Sequence, residues 1–128
     1  NFKETFDVIM LWEVIEHLQD LNLFLELAYS KLNKGGKIIL STPNYNKIYN
    51  YPEREKDKLY QNEPPIHLNF FTQKNIKMVF KMKGFNAIEV REKKFPYLEK
   101  NSMRFIKNSM KALLGKYNGP TLYLVAQK

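Results

Sequence analysis

Cysteine is absent from the 128 residues of this chain. That absence excludes disulfide bonds, thiolate metal sites and a cysteine nucleophile. Long apolar runs are lacking too, because none approaches the roughly 20 residues that a membrane-spanning helix needs. Hydrophobic residues still make up 44% of the chain and aromatic residues 14%, which is enough to build the core of one compact domain. The sequence therefore predicts a soluble, cytoplasmic protein with a single domain.

Acidic residues are scarce toward the C-terminus, and the net charge of the whole chain is +8. Residues 1–33 carry two Lys and six acids, whereas residues 91–128 carry nine Lys or Arg and two acids. This asymmetry indicates an anionic partner for the C-terminal part, such as nucleic acid, phospholipid headgroups or an acidic substrate. A Lys-rich surface that only keeps the protein in solution is the alternative interpretation.

The most informative segment is an apolar run, Phe6–Leu11, that passes abruptly into large and ionisable side chains. A buried parallel strand of an α/β sheet delivers such side chains to a ligand crevice at its carboxyl end. Glu13, Glu16 and His17 have the i, i+3 and i+4 spacing, so a helical turn directly after the strand would bring them together. We therefore expect the chemistry of the protein to begin at this point.

A helix and a second strand follow this segment. Asp20 can cap the helix, and Gly35-Gly36 can end it. The run Lys37–Ser41 is short, branched and apolar, as expected of a strand. These elements form a βαβ unit with two parallel neighbouring strands. The helical spacing predicts an inward face made of Leu21, Phe24, Leu27, Ala28 and Leu32.

The next part of the chain combines a long loop with a helix and two strands. Residues 42–71 show no clear periodicity and hold four Pro and four Tyr, so we interpret them as a substrate-lid loop. Thr72 can cap the following helix, which ends near Gly84. Strands are predicted at Phe85–Val90 and Thr121–Ala126. The inward face of the helix is predicted to contain Ile76, Val79 and Phe80.

The segment Leu98–Leu114 is predicted to be a basic amphipathic helix. One face carries Met103, Ile106, Met110, Leu113 and Leu114, and the opposite face carries Lys100, Arg104, Lys107 and Lys111. This pattern fits a peripheral contact with an anionic membrane better than it fits RNA, and no recognised nucleic-acid-binding motif accompanies it. Core packing of the apolar face is the alternative.

Four segments in a fixed order carry a family resemblance. They are FDVIMLWEVIEHLQD, LNKGGKIILSTPN, HLNFFT and the MKGF turn at Met82–Phe85. Together they resemble the second half of a class I S-adenosylmethionine-dependent methyltransferase, in the group that includes the ubiquinone-biosynthesis O-methyltransferases. The resemblance spans nearly all of the chain. It implies an α/β, Rossmann-like fold whose last strand is antiparallel and inserted beside its neighbour.

The resemblance also implies that only part of the family's seven-stranded sheet is present. Strands four to seven correspond to Phe6–Leu11, Lys37–Ser41, Phe85–Glu92 and Thr121–Gln127. The first three strands, the glycine-rich turn near the cofactor and the acidic residue that holds the ribose have no counterpart. A sheet cut at the fourth strand would expose an apolar edge. We therefore expect a fragment that associates with a missing N-terminal half or with a second copy in a homodimer.

Cofactor and substrate positions are implied by the same resemblance. Leu11, Trp12 and Glu13 correspond to positions near the cofactor, S-adenosylmethionine, and Trp12 could pack on the adenine or shield the methionine portion. The positions on the substrate side are Asn44, Tyr45 and His67. Core packing of Trp12, a turn role for Asn44 and a structural burial of His67 are the alternatives.

Metal and base roles are the last expectations. Glu13, Glu16 and His17 match a Glu-x-x-Glu-His pattern that is implied to hold a divalent cation, and Zn²⁺ or Mn²⁺ suits these ligands better than Mg²⁺. Hydrogen bonds from Glu16 and His17 to loop backbone are the alternative. His17 could instead act as the catalytic base. The expected function is methyl transfer to an oxygen or nitrogen of a small molecule, and the alternative is a non-catalytic module that docks on a membrane or partner.

Overall fold

The structure is a computed structural model that describes residues 4–46, 66–96, 102–117 and 119–128. A short 3-10 turn at Ile15–His17 follows the first strand. In chain order, the longer elements within the described ranges are β1 (Phe6–Trp12), α1 (Leu21–Lys31), β2 (Leu32–Pro43), α2 (Gln73–Met82), β3 (Asn86–Glu92), α3 (Ser102–Leu113) and β4 (Thr121–Gln127).

The four strands form one mixed sheet in the order β1-β2-β4-β3. β1 and β2 are parallel, which confirms the predicted βαβ unit. β4 is antiparallel to both of its neighbours and lies between β2 and β3, which confirms the inserted last strand. Trp12 is in register with Ser41, and Thr42 with Leu122, so the ends of β1 and β2 lie next to the start of β4.

The core lies where α1 and α2 cover the centre of this sheet. Most of the core residues that come from strands belong to β2 and β4, because each of these strands has a neighbouring strand on both sides. Full burial of a Leu, Ile or Phe side chain stabilises the fold by about 1.5–3 kcal/mol. The fully buried apolar side chains include Leu25, Ile38, Leu40, Ile76, Phe80, Leu122, Leu124 and Ala126.

The helix α1 begins as predicted but ends earlier. The Asp20 side chain accepts a hydrogen bond from the Leu23 backbone N–H at 2.8 Å, which is the expected N-cap. The helix stops at Lys31 because the chain passes directly into β2 at Leu32, so the prediction that Gly35-Gly36 ends it was wrong. The predicted inward position of Leu27 was also wrong. Leu27 is 55% exposed, and Leu25 is buried in its place.

The helix α2 follows the prediction closely. The Thr72 side chain accepts from the Asn75 backbone, and the Asn75 side chain accepts from the Thr72 backbone, so the two residues form a capping box. Ile76 and Phe80 are buried, as predicted. Gly84 has a φ of +89°, which favours glycine at the end of the helix, and the chain then enters β3.

Two parts of the described chain expose apolar side chains. β1 pairs with β2 alone among the described strands, and it exposes Phe6, Val8, Met10 and Trp12, alternate residues that lie on one face of the strand. α3 exposes the apolar stripe that the sequence predicted. Within the described part of the chain, this stripe does not pack into the core. Among the described helices, none has the length and hydropathy needed to cross a membrane.

The predicted lid and the predicted last helix lie partly outside the described residues. Of the lid, 42–71, the central residues 47–65 are outside the described ranges, while Thr42 and Pro43 belong to β2. Asn44 forms an isolated bridge with Phe71. Of the predicted helix at 98–114, the residues 98–101 are outside the described ranges, and α3 begins at Ser102.

Candidate functional site

The end of β1 turns sharply at Glu13. This residue has a φ of +52°, a left-handed conformation that a non-glycine residue adopts at some cost. Its backbone N–H donates to the Ser41 carbonyl at 3.1 Å, and the Ser41 hydroxyl donates to Glu13 Oε1 at 2.7 Å. These two hydrogen bonds hold the turn against the end of β2. The chain then enters the 3-10 turn that carries Glu16 and His17.

This turn changes which side chains meet. The expected trio of Glu13, Glu16 and His17 required one continuous helical turn, and the left-handed residue at Glu13 interrupts it. The Glu13 carboxylate is directed to Ser41. The ligand atoms that lie within 4.8 Å of one another belong to Glu16, His17 and His67. Among the described residues, His67 therefore stands where Glu13 was expected, and the metal role of this group stays a prediction.

Glu16 is the buried acid of this cluster. Its residue is 1% exposed, and its Oε2 accepts a hydrogen bond from the Thr42 hydroxyl at 3.0 Å. Its Oε1 is buried and has no hydrogen-bond partner among the described residues. Burial raises the pKa of Glu16 above its ordinary value, and the hydrogen bonds to backbone and to Thr42 oppose that rise. The unpartnered oxygen is a strong reason to look for a ligand here, since buried polar atoms are rarely left unsatisfied.

His17 lies beside Glu16 with its two ring nitrogens in different surroundings. Nδ1 is 2.7 Å from the Ile66 carbonyl oxygen, and because a carbonyl only accepts, we assign the proton to Nδ1. Nε2 is then the acceptor nitrogen. It lies 3.8 Å from Glu16 Oε1, which is too long for a hydrogen bond. The His17 side chain as a whole is 41% exposed.

Asn69 holds the segment that brings His67 to this cluster. Its side-chain amide donates to the Leu18 carbonyl at 2.7 Å and to the Ile15 carbonyl at 3.2 Å. The backbone N–H groups of Leu68 and Asn69 both donate to the Glu16 carbonyl. Asn69 lies inside the HLNFFT landmark, but nothing in the sequence marks it for this role. No local pattern predicts hydrogen bonds to residues about 50 positions away.

His67 completes the cluster from the opposite side. Its ring centroid is 4.9 Å from that of His17, with the rings tilted by 59°. Burial lowers the pKa of His67 below its ordinary value, and the neighbouring His17 lowers it further, while Glu13 opposes the shift. His67 is therefore favoured in its neutral form, in which one ring nitrogen carries a proton and the other can accept a proton or bind a ligand.

The cluster opens on a cavity of about 10 Å³, which has room for about one water molecule. Tyr45 lines it, with its ring centroid 5.1 Å from that of Phe70. A space this small fits the polar tip of a ligand and not a whole substrate. Its walls are formed by Glu16, Pro43, Tyr45, His67, Asn69, Phe70 and Phe71.

The other predicted site residues have separate positions. Asn44 is fully buried, and its side chain donates to the Gly119 carbonyl at 2.8 Å and accepts from the Asn46 backbone. It therefore fixes the turn before β4 and does not face the cavity. Leu11 and Trp12 lie at the carboxyl end of β1, and Trp12 is 55% exposed there.

Comparisons with known proteins show what this chain is similar to. The segment from residue 1 to residue 90 matches a family described as "Methyltransferase domain". A ubiquinone biosynthesis O-methyltransferase from Nitrobacter winogradskyi is 43% identical over 46 residues, which are 36% of this chain and 18% of that protein.

Solved structures extend the likeness to almost the whole chain. A SAM-dependent methyltransferase from Archaeoglobus fulgidus has a TM-score of 0.60 at 20% identity and covers 98% of this chain and 60% of its own. Phosphoethanolamine N-methyltransferase 2 from Haemonchus contortus, solved with S-adenosyl-L-methionine, has a TM-score of 0.59 at 15% identity, over 96% of this chain and 33% of its own.

These likenesses confirm the Rossmann-like fold, and the family match covers most of the chain. The chain spans less than two thirds of the relatives that it matches. It belongs to the methyltransferase-domain family, among the class I S-adenosylmethionine-dependent methyltransferases.

Proposed function

We propose that this protein transfers a methyl group from S-adenosylmethionine to an oxygen or nitrogen atom of a small molecule. One observation carries the proposal: Glu16 Oε1 is buried without a partner and faces the acceptor nitrogen of His17 at the carboxyl end of β1. A hydroxyl or amine at this point would satisfy the carboxylate and would lie beside a base. Ligands of α/β sheets bind at this end of the strands.

Methyl transfer from a sulfonium needs few catalytic groups from the protein. The acceptor atom attacks the methyl carbon, the bond from that carbon to the sulfonium sulfur breaks, and S-adenosylhomocysteine leaves. The acceptor's proton passes to His17 Nε2. Glu16, when ionised 3.8 Å away, stabilises the positive charge that then forms on the imidazole. Alignment of the two reactants and exclusion of water supply much of the rate.

We assign the cofactor side to Leu11, Trp12 and Glu13. An exposed indole at the end of β1 gives a flat surface on which an adenine ring or the methionine portion could pack. The substrate side is assigned to Tyr45 and His67, which line the cavity beside Glu16. The name of the Nitrobacter winogradskyi relative favours an oxygen acceptor, and that of the Haemonchus contortus structure is that of an N-methyltransferase.

The assignment of the protein to this activity is tested by calorimetry with S-adenosylhomocysteine. The measurement uses the longest polypeptide that contains this sequence, followed by methyl transfer from labelled S-adenosylmethionine to a panel of phenols and amines. We expect heat of binding and transfer to at least one acceptor class. The absence of binding heat would contradict the enzymatic proposal.

His17 is tested by the substitution His17→Ala. If His17 is the base, turnover falls by about 10²–10⁴-fold while the affinity for S-adenosylhomocysteine stays within a few fold. His67→Gln is compared with it: because His67 is assigned to the substrate side, its loss should weaken binding of the acceptor while Nε2 of His17 stays in place. Unchanged turnover in His17→Ala would remove His17 from the mechanism.

A divalent cation is a second candidate ligand for the cluster of Glu16, His17 and His67. The donor set of one carboxylate and two imidazoles fits Zn²⁺ or Mn²⁺, and the Nδ1 contact of His17 with a backbone carbonyl resembles the outer contacts that orient metal ligands. Glu16, His17 and His67 would hold the ion, which would acidify a substrate hydroxyl.

Chelation separates the two candidates. If a cation is required, a chelator abolishes turnover, added Zn²⁺ or Mn²⁺ restores it, and His67→Gln is as damaging as His17→Ala. If His17 acts without a metal ion, the chelator has no effect, and His67→Gln lowers turnover less than His17→Ala does. Metal content of the purified protein, measured by mass spectrometry, gives a readout that does not depend on activity.

A further inference from the structure

The helix α3 presents its most apolar side chains to solvent. The exposed fractions of Met103, Ile106, Met110, Leu113 and Leu114 lie between 52% and 78%. The first four belong to the helix, and Leu114 follows its last residue. With 3.6 residues per turn, their spacing places them on one stripe.

The less exposed side of α3 has a different composition. Phe105, Asn108, Ser109 and Ala112 are its half-buried residues, and three of these four are small or polar. A helix that packed for hydrophobic burial would turn the stripe inward instead. In this orientation the described part of the chain leaves the apolar surface of α3 uncovered, so this surface is available for a contact.

A basic row lies beside the apolar stripe, so the prediction that the basic residues occupy the opposite face was wrong. Arg104, Lys107 and Lys111 are exposed and follow one flank of it, and exposed Lys116 comes one turn beyond the helix. No acid occurs between Ser102 and Lys128. An apolar stripe flanked by cations matches a membrane surface, where apolar side chains enter the acyl boundary and cations meet lipid phosphates.

We propose that α3 docks this protein on the surface of an anionic phospholipid membrane. The inserted segment leaves the sheet after Glu92 and rejoins it at Thr121, and both residues lie at the same end of the sheet as Trp12 and Ser41. Docking would hold the end of the sheet that carries the Glu16 cluster close to the bilayer. This proposal does not depend on the identity of the methyl acceptor.

The test is sedimentation of the full chain with lipid vesicles at low salt. One set of vesicles is phosphatidylcholine alone, and the other contains equal parts of phosphatidylcholine and phosphatidylglycerol. We expect retention by the anionic vesicles, weak retention by the neutral ones, and release as salt is added. Failure of the anionic vesicles to retain the protein, or equal retention by both sets, would overturn the proposal.

Two double variants locate the contact on α3. K107E/K111E reverses the basic row, and M110E/L113E places charge in the stripe; each should weaken partitioning by at least about tenfold. K74E/K77E on α2 is the matched control for charge, and Leu23→Glu on α1 is the control for an exposed apolar residue. Both controls should stay within about twofold, because their side chains lie on other helices and away from the proposed membrane contact.

Two other partners are distinguished by the same variants. Binding of single-stranded RNA that K107E/K111E abolishes, without retention by vesicles, would assign the basic row to nucleic acid. A dimer in light scattering that M110E/L113E dissociates, again without retention by vesicles, would assign the stripe to a second copy. Either result would overturn the proposal. All variants change exposed side chains, so circular dichroism should confirm the native fold.

Discussion

The helices α2 and α3 carry the same kind of amphipathic pattern, yet their apolar faces meet opposite surroundings. Both have lysines on one side and apolar residues on the other. α2 buries Ile76 and Phe80 completely against the sheet. α3 leaves Met103 and Met110 more than half exposed. An amphipathic sequence therefore defines a stripe without defining what covers it.

The connections to the sheet differ between the two helices. α2 ends at Met82 and β3 begins at Asn86, so a turn centred on Gly84 holds the helix directly against the strand that follows. α3 begins at Ser102, and nine residues separate it from Glu92, the end of β3. A short connection allows a helix to pack on only one nearby surface. A long connection does not fix the orientation of the helix, which then depends on other interactions.

The largest effect is expected from truncation of a large side chain on each helix. Phe80→Ala should lower the free energy of unfolding by about 3–5 kcal/mol, because it leaves a cavity in the core. Met110→Ala should change it by no more than about 0.5 kcal/mol, because the side chain is already exposed. Urea unfolding followed by circular dichroism measures both. A large loss for Met110→Ala would mean that the stripe is buried in solution, which would also contradict the docking of α3.

Much of the fold follows from local signals in the sequence. The caps at Asp20 and Thr72 and the apolar runs of β1 and β2 place two helices and two strands, because capping and burial act over a few residues. The end of α1 could not be predicted in this way. Leu32 continues the helical stripe and also begins β2, and the choice between them depends on pairing with Phe6 in β1.

The site is less predictable because it is assembled from distant parts of the chain. Glu16 and His17 were identified from their spacing, but the left-handed turn at Glu13 has no signal in the sequence. His67 reaches His17 because the side chain of Asn69 and the backbone N–H groups of Leu68 and Asn69 tie its segment to the carbonyls of the turn. Such contacts depend on tertiary structure, so a sequence motif can identify the residues of a site but not their arrangement.

Glu16 combines features of both helices. Its side chain is buried, like the apolar face of α2, and its Oε1 lacks a contact among the described residues, like the apolar stripe of α3. Glu16→Gln should test this comparison. Glutamine keeps an acceptor oxygen for Thr42 and removes a charge that is costly to bury. We expect the free energy of unfolding at neutral pH to rise by about 1 kcal/mol, while turnover falls. Urea unfolding at neutral and acidic pH measures the effect.

The sign of the pH dependence follows from the raised pKa of Glu16. The folded state holds the proton more tightly than the unfolded state, so the cost of the charge is absent in acid and complete above the folded pKa. The gain from Glu16→Gln should therefore disappear as the pH falls below the ordinary range of a glutamic acid. Glu26→Gln, which alters an exposed acid paired with Lys83, should give no such gain. A loss of stability in Glu16→Gln at neutral pH would mean that the carboxylate is fully compensated in solution, and the unpartnered oxygen could then no longer support a ligand at this corner.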